Sequence, residues 1–213
     1  MLKSFLIANP KGGCGKTTLS TNLAGYFARC GHRVMLGDID RQQSSREWLK
    51  LRPDSLPAIS SWDIDAGDPG RARLPKDTTH VVLDTPAGLH GKKLDQVLKM
   101  VSRVIVPLQP SIFDIMATKD FLDVLLEEKA VRNHHAFVSI IGMRVDARTR
   151  AAHELERFLE GVGLPVLANL RDTQTYVQAA AHGLTIFDLS PARAEKDLEQ
   201  WRPIIDWVES PLD

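Results

Sequence analysis

The apolar segment Ser4 to Ala8 runs directly into Asn9-Pro10-Lys11-Gly12-Gly13-Cys14-Gly15-Lys16-Thr17-Thr18, and a helical pattern starts immediately behind it. A strand, a glycine-rich turn and a helix in that order leave few folds open. The turn must bring backbone N–H groups and a helix N-terminus to one point, which is how an anion such as phosphate is held. The plain pattern is Gly-x-x-x-x-Gly-Lys-Ser/Thr, in which the lysine reaches the β/γ oxygens and the hydroxyl holds Mg²⁺. Here Pro10 stands at the first glycine position. In its place the chain carries an additional lysine, Lys11, ahead of Gly12, Gly13, Cys14, Gly15, Lys16, Thr17 and Thr18. Nucleotide binding is the first functional reading.

The rest of the chain repeats the alternation of short apolar run and helix. Thr17 to Cys30 places Leu19, Leu23, Tyr26, Phe27 and Cys30 at three- and four-residue steps before Gly31. Strands are expected at Phe5–Ala8, Arg33–Gly37, Val81–Leu83, Arg103–Pro107, Ala136–Ile141 and Leu164–Ala168. Helices are expected at about Lys92–Met100, Asp114–Glu128 and Arg148–Glu160. Continuous apolar strands separated by helices predict an α/β fold: a mostly parallel twisted sheet with helices on both faces, in a single domain spanning 1–213. Leu51–Lys76 breaks the rhythm with four prolines and two glycines, and predicts a surface excursion with one short edge strand near Ala58-Ile59.

Composition narrows the function. Twenty-seven basic residues face twenty-seven acidic ones, so the whole molecule is not an electrostatic wrap for nucleic acid or an acidic membrane, and any such contact must be a local patch. Cys14 and Cys30 form neither a disulfide framework nor a metal-binding spacing. The N-terminal apolar run, broken at Asn9-Pro10-Lys11, is too short for a secretory or membrane segment. A reducing cytoplasm is the expected setting.

Acidic residues at strand ends complete the chemistry, since ligands in open α/β sheets sit beyond the carboxyl ends of the strands. Asp84, between Val81-Val82-Leu83 and Thr85-Pro86-Ala87-Gly88, suits an acid holding Mg²⁺ through water, with Pro86–Gly88 as a γ-phosphate sensor. Asp38 and Asp40, spaced i and i+2, would point to the same side of an extended chain.

The Lys11 loop, the Gly37-Asp-Ile-Asp-Arg-Gln-Gln43 element, Asp84-Thr-Pro, Pro107-Leu-Gln-Pro-Ser111 and the stretch from Arg171 to Asp188 together resemble the ParA/MinD family, with its deviant Walker A loop. The resemblance implies an ATP- and Mg²⁺-dependent ATPase that closes into a homodimeric sandwich. Lys16 would serve the nucleotide of its own chain and Lys11 that of the partner; Thr17 would take Mg²⁺ and Thr18 the phosphates. It further implies that Asp40 orients the attacking water and that Asp38 lies near Mg²⁺. Arg41 stands where the family usually has proline. Met143 stands where an asparagine usually reads the base, and Arg171–Tyr176 corresponds to the other base-lining region. Dimers of this family bind DNA without sequence preference, here expected through Arg148, Arg150 and Arg171, and are released when a ParB-like or cargo-adaptor protein stimulates hydrolysis. The expected location is the cytoplasm, on the nucleoid. With the first strand at the start of the chain, an upstream helix-turn-helix domain is not expected.

Three relatives of that resemblance compete with it. A membrane-associated MinD-like ATPase would need a basic amphipathic C-terminal helix. Trp201, Ile204, Ile205 and Val208 make an apolar stripe, but acids outnumber bases there and Pro211 follows, so a helix packed on the sheet is the better expectation. Iron–sulfur carriers need cysteines in the second half, and none follows Cys30. A small-molecule ATP-dependent synthetase would need a dedicated substrate pocket.

Overall fold

The computed structural model describes residues 2–64 and 73–212. Seven parallel strands form one sheet in the order β3-β2-β4-β1-β5-β6-β7. They are β1 (Lys3–Ile7), β2 (Val34–Asp38), β3 (Ile59–Trp62), β4 (His80–Asp84), β5 (Arg103–Leu108), β6 (Phe137–Gly142) and β7 (Val166–Asn169). The helices are α1 (Lys16–Arg29), α2 (Ser44–Leu51), α3 (Gly91–Leu98), α4 (Ile112–Glu127), α5 (Lys129–Arg132), α6 (Arg150–Val162), α7 (Gln174–Ala180) and α8 (Pro191–Glu209).

The central strands are apolar on consecutive residues because both faces are covered. Leu6, Val81, Leu83, Val104 and Val106 point into one core, which α3, α4 and α6 close with Leu94, Leu98, Phe121, Leu122, Leu125 and Leu155. Their neighbours Phe5, Ile7, Val82 and Ile105 point the opposite way, against Leu19, Leu23 and Phe27 of α1 and Trp201, Ile204 and Val208 of α8. The C-terminal apolar stripe is therefore core, as expected.

The expected strands and the four long helices stand within a few residues of their predicted limits. α6 begins at Arg150 rather than Arg148, because Asp146 and Thr149 organise the preceding turn and the Thr149 hydroxyl caps the helix by accepting from Ala152 N at 3.2 Å. α2, α5 and α7 had no counterpart in the sequence reading. α2 is held at its start by a remote strand residue: the Asp38 carboxylate accepts from Ser45 N (2.9 Å), Ser45 Oγ (2.8 Å) and Arg46 N (3.3 Å). The edge strand of the proline-rich excursion is β3; the part of that excursion at 65–72 lies outside the described residues.

Candidate nucleotide site

The phosphate loop leaves β1 at the middle of the sheet, with β4 on one side and β5 on the other. Gly13 and Gly15 adopt φ of 75° and 99°, left-handed values that side chains resist. At Gly15 the constraint is double, since a Cβ would lie 2.6 Å from Cε of Met143. The loop is braced from outside. Asn9 Oδ1 accepts from Lys11 N (2.8 Å), Asn9 Nδ2 donates to Pro107 O (2.8 Å) and Thr118 Oγ1 (2.9 Å), and Gln109 Nε2 donates to Gly13 O (2.9 Å). These braces give the Pro107–Ser111 stretch a physical role.

Lys16 is buried, and its ammonium donates to Lys11 O (2.6 Å) and Asn9 O (3.2 Å). Backbone carbonyls satisfy its hydrogen bonds but not its charge. Lys11 is half-buried, and its ammonium makes no hydrogen bond or ion pair among the described residues. Cys14 is buried under the same loop, its Sγ 3.3 Å from Lys11 O. Burial pushes its thiol pKa up despite the pull of Lys16, so it is packing and a poor nucleophile, not a reactive handle on the site.

Asp38 and Asp84 end adjacent strands in matched register, and Ile7 pairs with Asp84 on the other side. Asp84 is buried and makes no ion pair among the described residues. Burial drives its pKa up to about 7, reinforced by the charge of Asp38 and opposed by the hydroxyls of Thr17 and Ser20 and by Lys16. The expected common orientation of Asp38 and Asp40 does not occur, because the chain turns after β2. Asp38 faces α2 and takes Asp40 N on its other oxygen (2.9 Å), while Asp40 opens on the cleft and accepts from Gln42 N (3.0 Å). The charge of Asp38 still reaches Asp84.

A cleft of ≈ 520 Å³ lies over the loop. Gly12, Gly13, Gly15, Lys16, Thr17 and Thr18 form its floor; Asp40, Gln42 and Ser44 line one wall, Thr85-Pro86-Ala87 another, and Arg144 the rim. A larger hollow of ≈ 750 Å³ beside α3 and α4 lacks any such convergence, and its charged residues include the exposed Lys99–Asp95 pair. Chemistry, not volume, picks the site.

The structure gives three sequence-assigned residues partners that the sequence did not show. Met143 is buried, donates its backbone N–H to Leu108 O (2.8 Å) and packs beneath Gly15, so it supports the loop and presents no side-chain amide to a base. Arg171 is gripped by fully buried Asp197 through Nε–Oδ1 (2.8 Å) and Nη2–Oδ2 (3.0 Å), which ties the loop after β7 to α8. Arg148 forks onto Asp146 (2.9 Å twice), leaving Arg150 alone of the three expected DNA contacts without an ion pair among the described residues. Arg144 has φ of 54° and stands at the cleft. Its place directly after β6 was the available signal, since carboxyl ends of strands carry the ligands of such sheets.

The match is decided by a family model: the CobQ/CobB/MinD/ParA nucleotide binding domain aligns with residues 5–186. The chain belongs to this family. It is 27% identical over 212 residues to the maintenance of carboxysome distribution protein A of Halothiobacillus neapolitanus, covering 96% of this chain and 95% of that protein. To the chromosome-partitioning ATPase Soj of Thermus thermophilus it is 28% identical over 186 residues, covering 73% and 74%. Among solved structures it superposes on the ATP complex of Cyanothece McdA(D38A) with a TM-score of 0.72 and 16% identity, covering 97% of this chain and 96% of that one, a likeness of fold. The fold is thus that of the family's P-loop nucleoside triphosphatases.

Proposed function

We propose that this chain is a positioning ATPase: it binds ATP with Mg²⁺, closes into a homodimer around the nucleotides, holds DNA without sequence preference while closed, and opens when an adaptor protein accelerates hydrolysis. The observation that carries the reading is the contrast between the two loop lysines. Lys16 is folded into the loop on backbone carbonyls, within reach of phosphates bound there, whereas Lys11 flanks the loop with its ammonium uncommitted. A cation with no partner in its own chain is what a trans contact needs, and a second positive charge at the phosphates counters charge that develops during transfer.

The residues fit Mg²⁺. Asp84 is buried with Thr17 and Ser20 hydroxyls against it, and a dication would restore its ionised form. Bound Mg²⁺ would neutralise phosphate charge; Thr17 and, through water, Asp84 would hold it, with Asp38 reinforcing the negative charge from behind. Asp40, opening on the cleft, would accept a hydrogen bond from the attacking water and so aim it. Thr18 and the loop N–H groups would hold phosphate oxygens. Exposed Ile112, Phe113 and Met116 begin α4 just beyond Gln109, which binds the loop, and give the second copy an apolar surface beside the nucleotide. Phe113 is 73% exposed.

The relatives named for carboxysome distribution and for chromosome partitioning support a positioning role, with cargo chosen by the adaptor. DNA contact would fall to Arg150 with Arg193 and Lys196 of α8, all exposed and without ion pairs among the described residues, and would weaken steeply with salt. DNA held in this way places the protein on the nucleoid in the cytoplasm. Burial of Trp201, Ile204 and Val208 supports DNA over a membrane surface as the partner, since the apolar stripe of α8 is spent on the core. Light scattering with ATP tests the proposal. Wild type should double its mass, Asp40→Ala should remain a dimer on DNA, and Lys11→Ala should bind ATP yet stay monomeric. A Lys11→Ala protein that dimerised and hydrolysed like wild type would sink the reading.

A further inference from the structure

At the amino ends of the strands, on the far side of the sheet from the phosphate loop, three residues distant in sequence meet. His32 follows the end of α1, His80 opens β4 and Glu209 closes α8. One ligand atom from each lies within 4.8 Å of the other two. The two imidazole centroids are 4.0 Å apart, and Phe27 covers His80 at 4.3 Å.

His80 Nδ1 lies 3.0 Å from Thr79 Oγ1, which is also within hydrogen-bond distance of Arg33 N (3.0 Å) and Arg33 O (3.2 Å). With Nδ1 engaged by Thr79, Nε2 is the ring nitrogen left to bind a metal. His80 is 4% exposed, and Nε2 has no hydrogen-bond partner among the described residues, a rare condition for a buried polar atom. The nearby Lys3 ammonium is occupied by Val208 O (3.3 Å), Glu209 O (3.1 Å) and Glu209 Oε2 (2.5 Å). That contact still leaves Glu209 a second carboxylate oxygen.

We propose that His32, His80 and Glu209 form a site for a divalent transition metal, best suited to Zn²⁺, which pins the last residue of α8 to the base of the sheet. Two imidazoles and one carboxylate are a borderline-soft donor set that Zn²⁺ accepts, with water as fourth ligand. The Thr79 contact to Nδ1 is the kind of outer partner that orients a metal-bound histidine. Ligand atoms around tetrahedral Zn²⁺ lie about 3.4 Å apart, so closure needs side-chain rotations of about an ångström. The Lys3 ammonium beside Glu209 opposes the ion and limits affinity.

The test uses the full chain without nucleotide, stripped of metal, in a Cys14→Ser/Cys30→Ser background so that thiolates do not compete. Titration with ZnCl₂ should show one equivalent bound and a rise in Tm reversed by a chelator, and Co²⁺ should give the visible absorption of a tetrahedral site. His32→Gln and Glu209→Gln, both on partly exposed residues, should each weaken Zn²⁺ by tenfold or more and remove the Tm rise. Thr79→Val should weaken it less. Absence of Zn²⁺ binding to the parent, or unchanged affinity in both His32→Gln and Glu209→Gln, would overturn the site. ATP-driven dimerisation is read separately and does not depend on this outcome.

Discussion

The two ends of this molecule treat charge in opposite ways. Where α8 and the C-terminal segment pack, the buried acids meet arginines of the same chain. Arg52 and Asp188 are 5% and 0% exposed and meet at 3.0 Å; Asp197 grips Arg171; Arg103 donates to Val208 O (3.1 Å) and Ser210 Oγ (2.9 Å) and lies over the Trp207 ring. At the phosphate loop, Lys16 rests on backbone carbonyls and the Cys14 sulfur, Lys11 has no side-chain partner among the described residues and Asp84 is pushed toward protonation by burial. A charge paired inside the chain holds the fold, and a charge left unmatched beside a cleft awaits a ligand. By that criterion Arg171 is held in a structural pair, whereas Arg144 stands at the cleft.

The contrast can be broken in graded steps. The largest effect is expected for Arg52→Ala, which strands fully buried Asp188. Urea unfolding should show a loss of about 3–5 kcal/mol, with ATP affinity of the folded fraction unchanged. Lys16→Ala should do the reverse, cutting ATP affinity by roughly 10²-fold in a fluorescent-nucleotide titration while the urea midpoint barely moves. Arg171→Ala separates the two roles once assigned to that residue. Stability should fall by about 1–3 kcal/mol because Asp197 loses its partner, yet salt-dependent DNA retention of the ATP-locked dimer should keep its slope. A shallower slope would return Arg171 to the DNA face.

The smallest effect is acid sensitivity from Asp188. Burial raises its pKa, but hydrogen bonds from Arg52 and Thr185 outweigh burial and leave it below the ordinary carboxylate value. A depressed folded pKa means stability that is full above about pH 4 and is lost as pH falls through the folded value. Asp188→Asn should flatten that part of the stability–pH curve; an unchanged curve would show that the pair is not electrostatically coupled to folding.

Much of the fold was legible because it rests on short-range pattern. Phe5–Ile7 of β1, Val81–Leu83 of β4 and Val104–Val106 of β5 are unbroken apolar runs, and α1 carries its spacing in plain view. α2 was not legible: its stabilising cap is the Asp38 carboxylate at the end of another element, and Trp48 is its one buried large side chain. The phosphate loop was legible to the residue because its chemistry lies within eight consecutive positions. The supports of that loop were less so. Gln109 bonds Gly13 across 96 residues, and Met143 reaches Gly15 from the far side of β6. The ion pairs of Arg148 and Arg171 were not legible either, because sequence shows a positive charge without showing the carboxylate beside it.

By itself the sequence determined a parallel α/β sheet and a phosphate loop with two lysines, since hydrophobic period and loop chemistry act over a few bonds. Only the tertiary structure decided which charges remain available. Asp197 against Arg171, a buried Asp84 beside Asp38, and His32 beside His80 and Glu209 are distances through space, and Coulomb and metal–ligand interactions depend on those distances, not on separation along the chain.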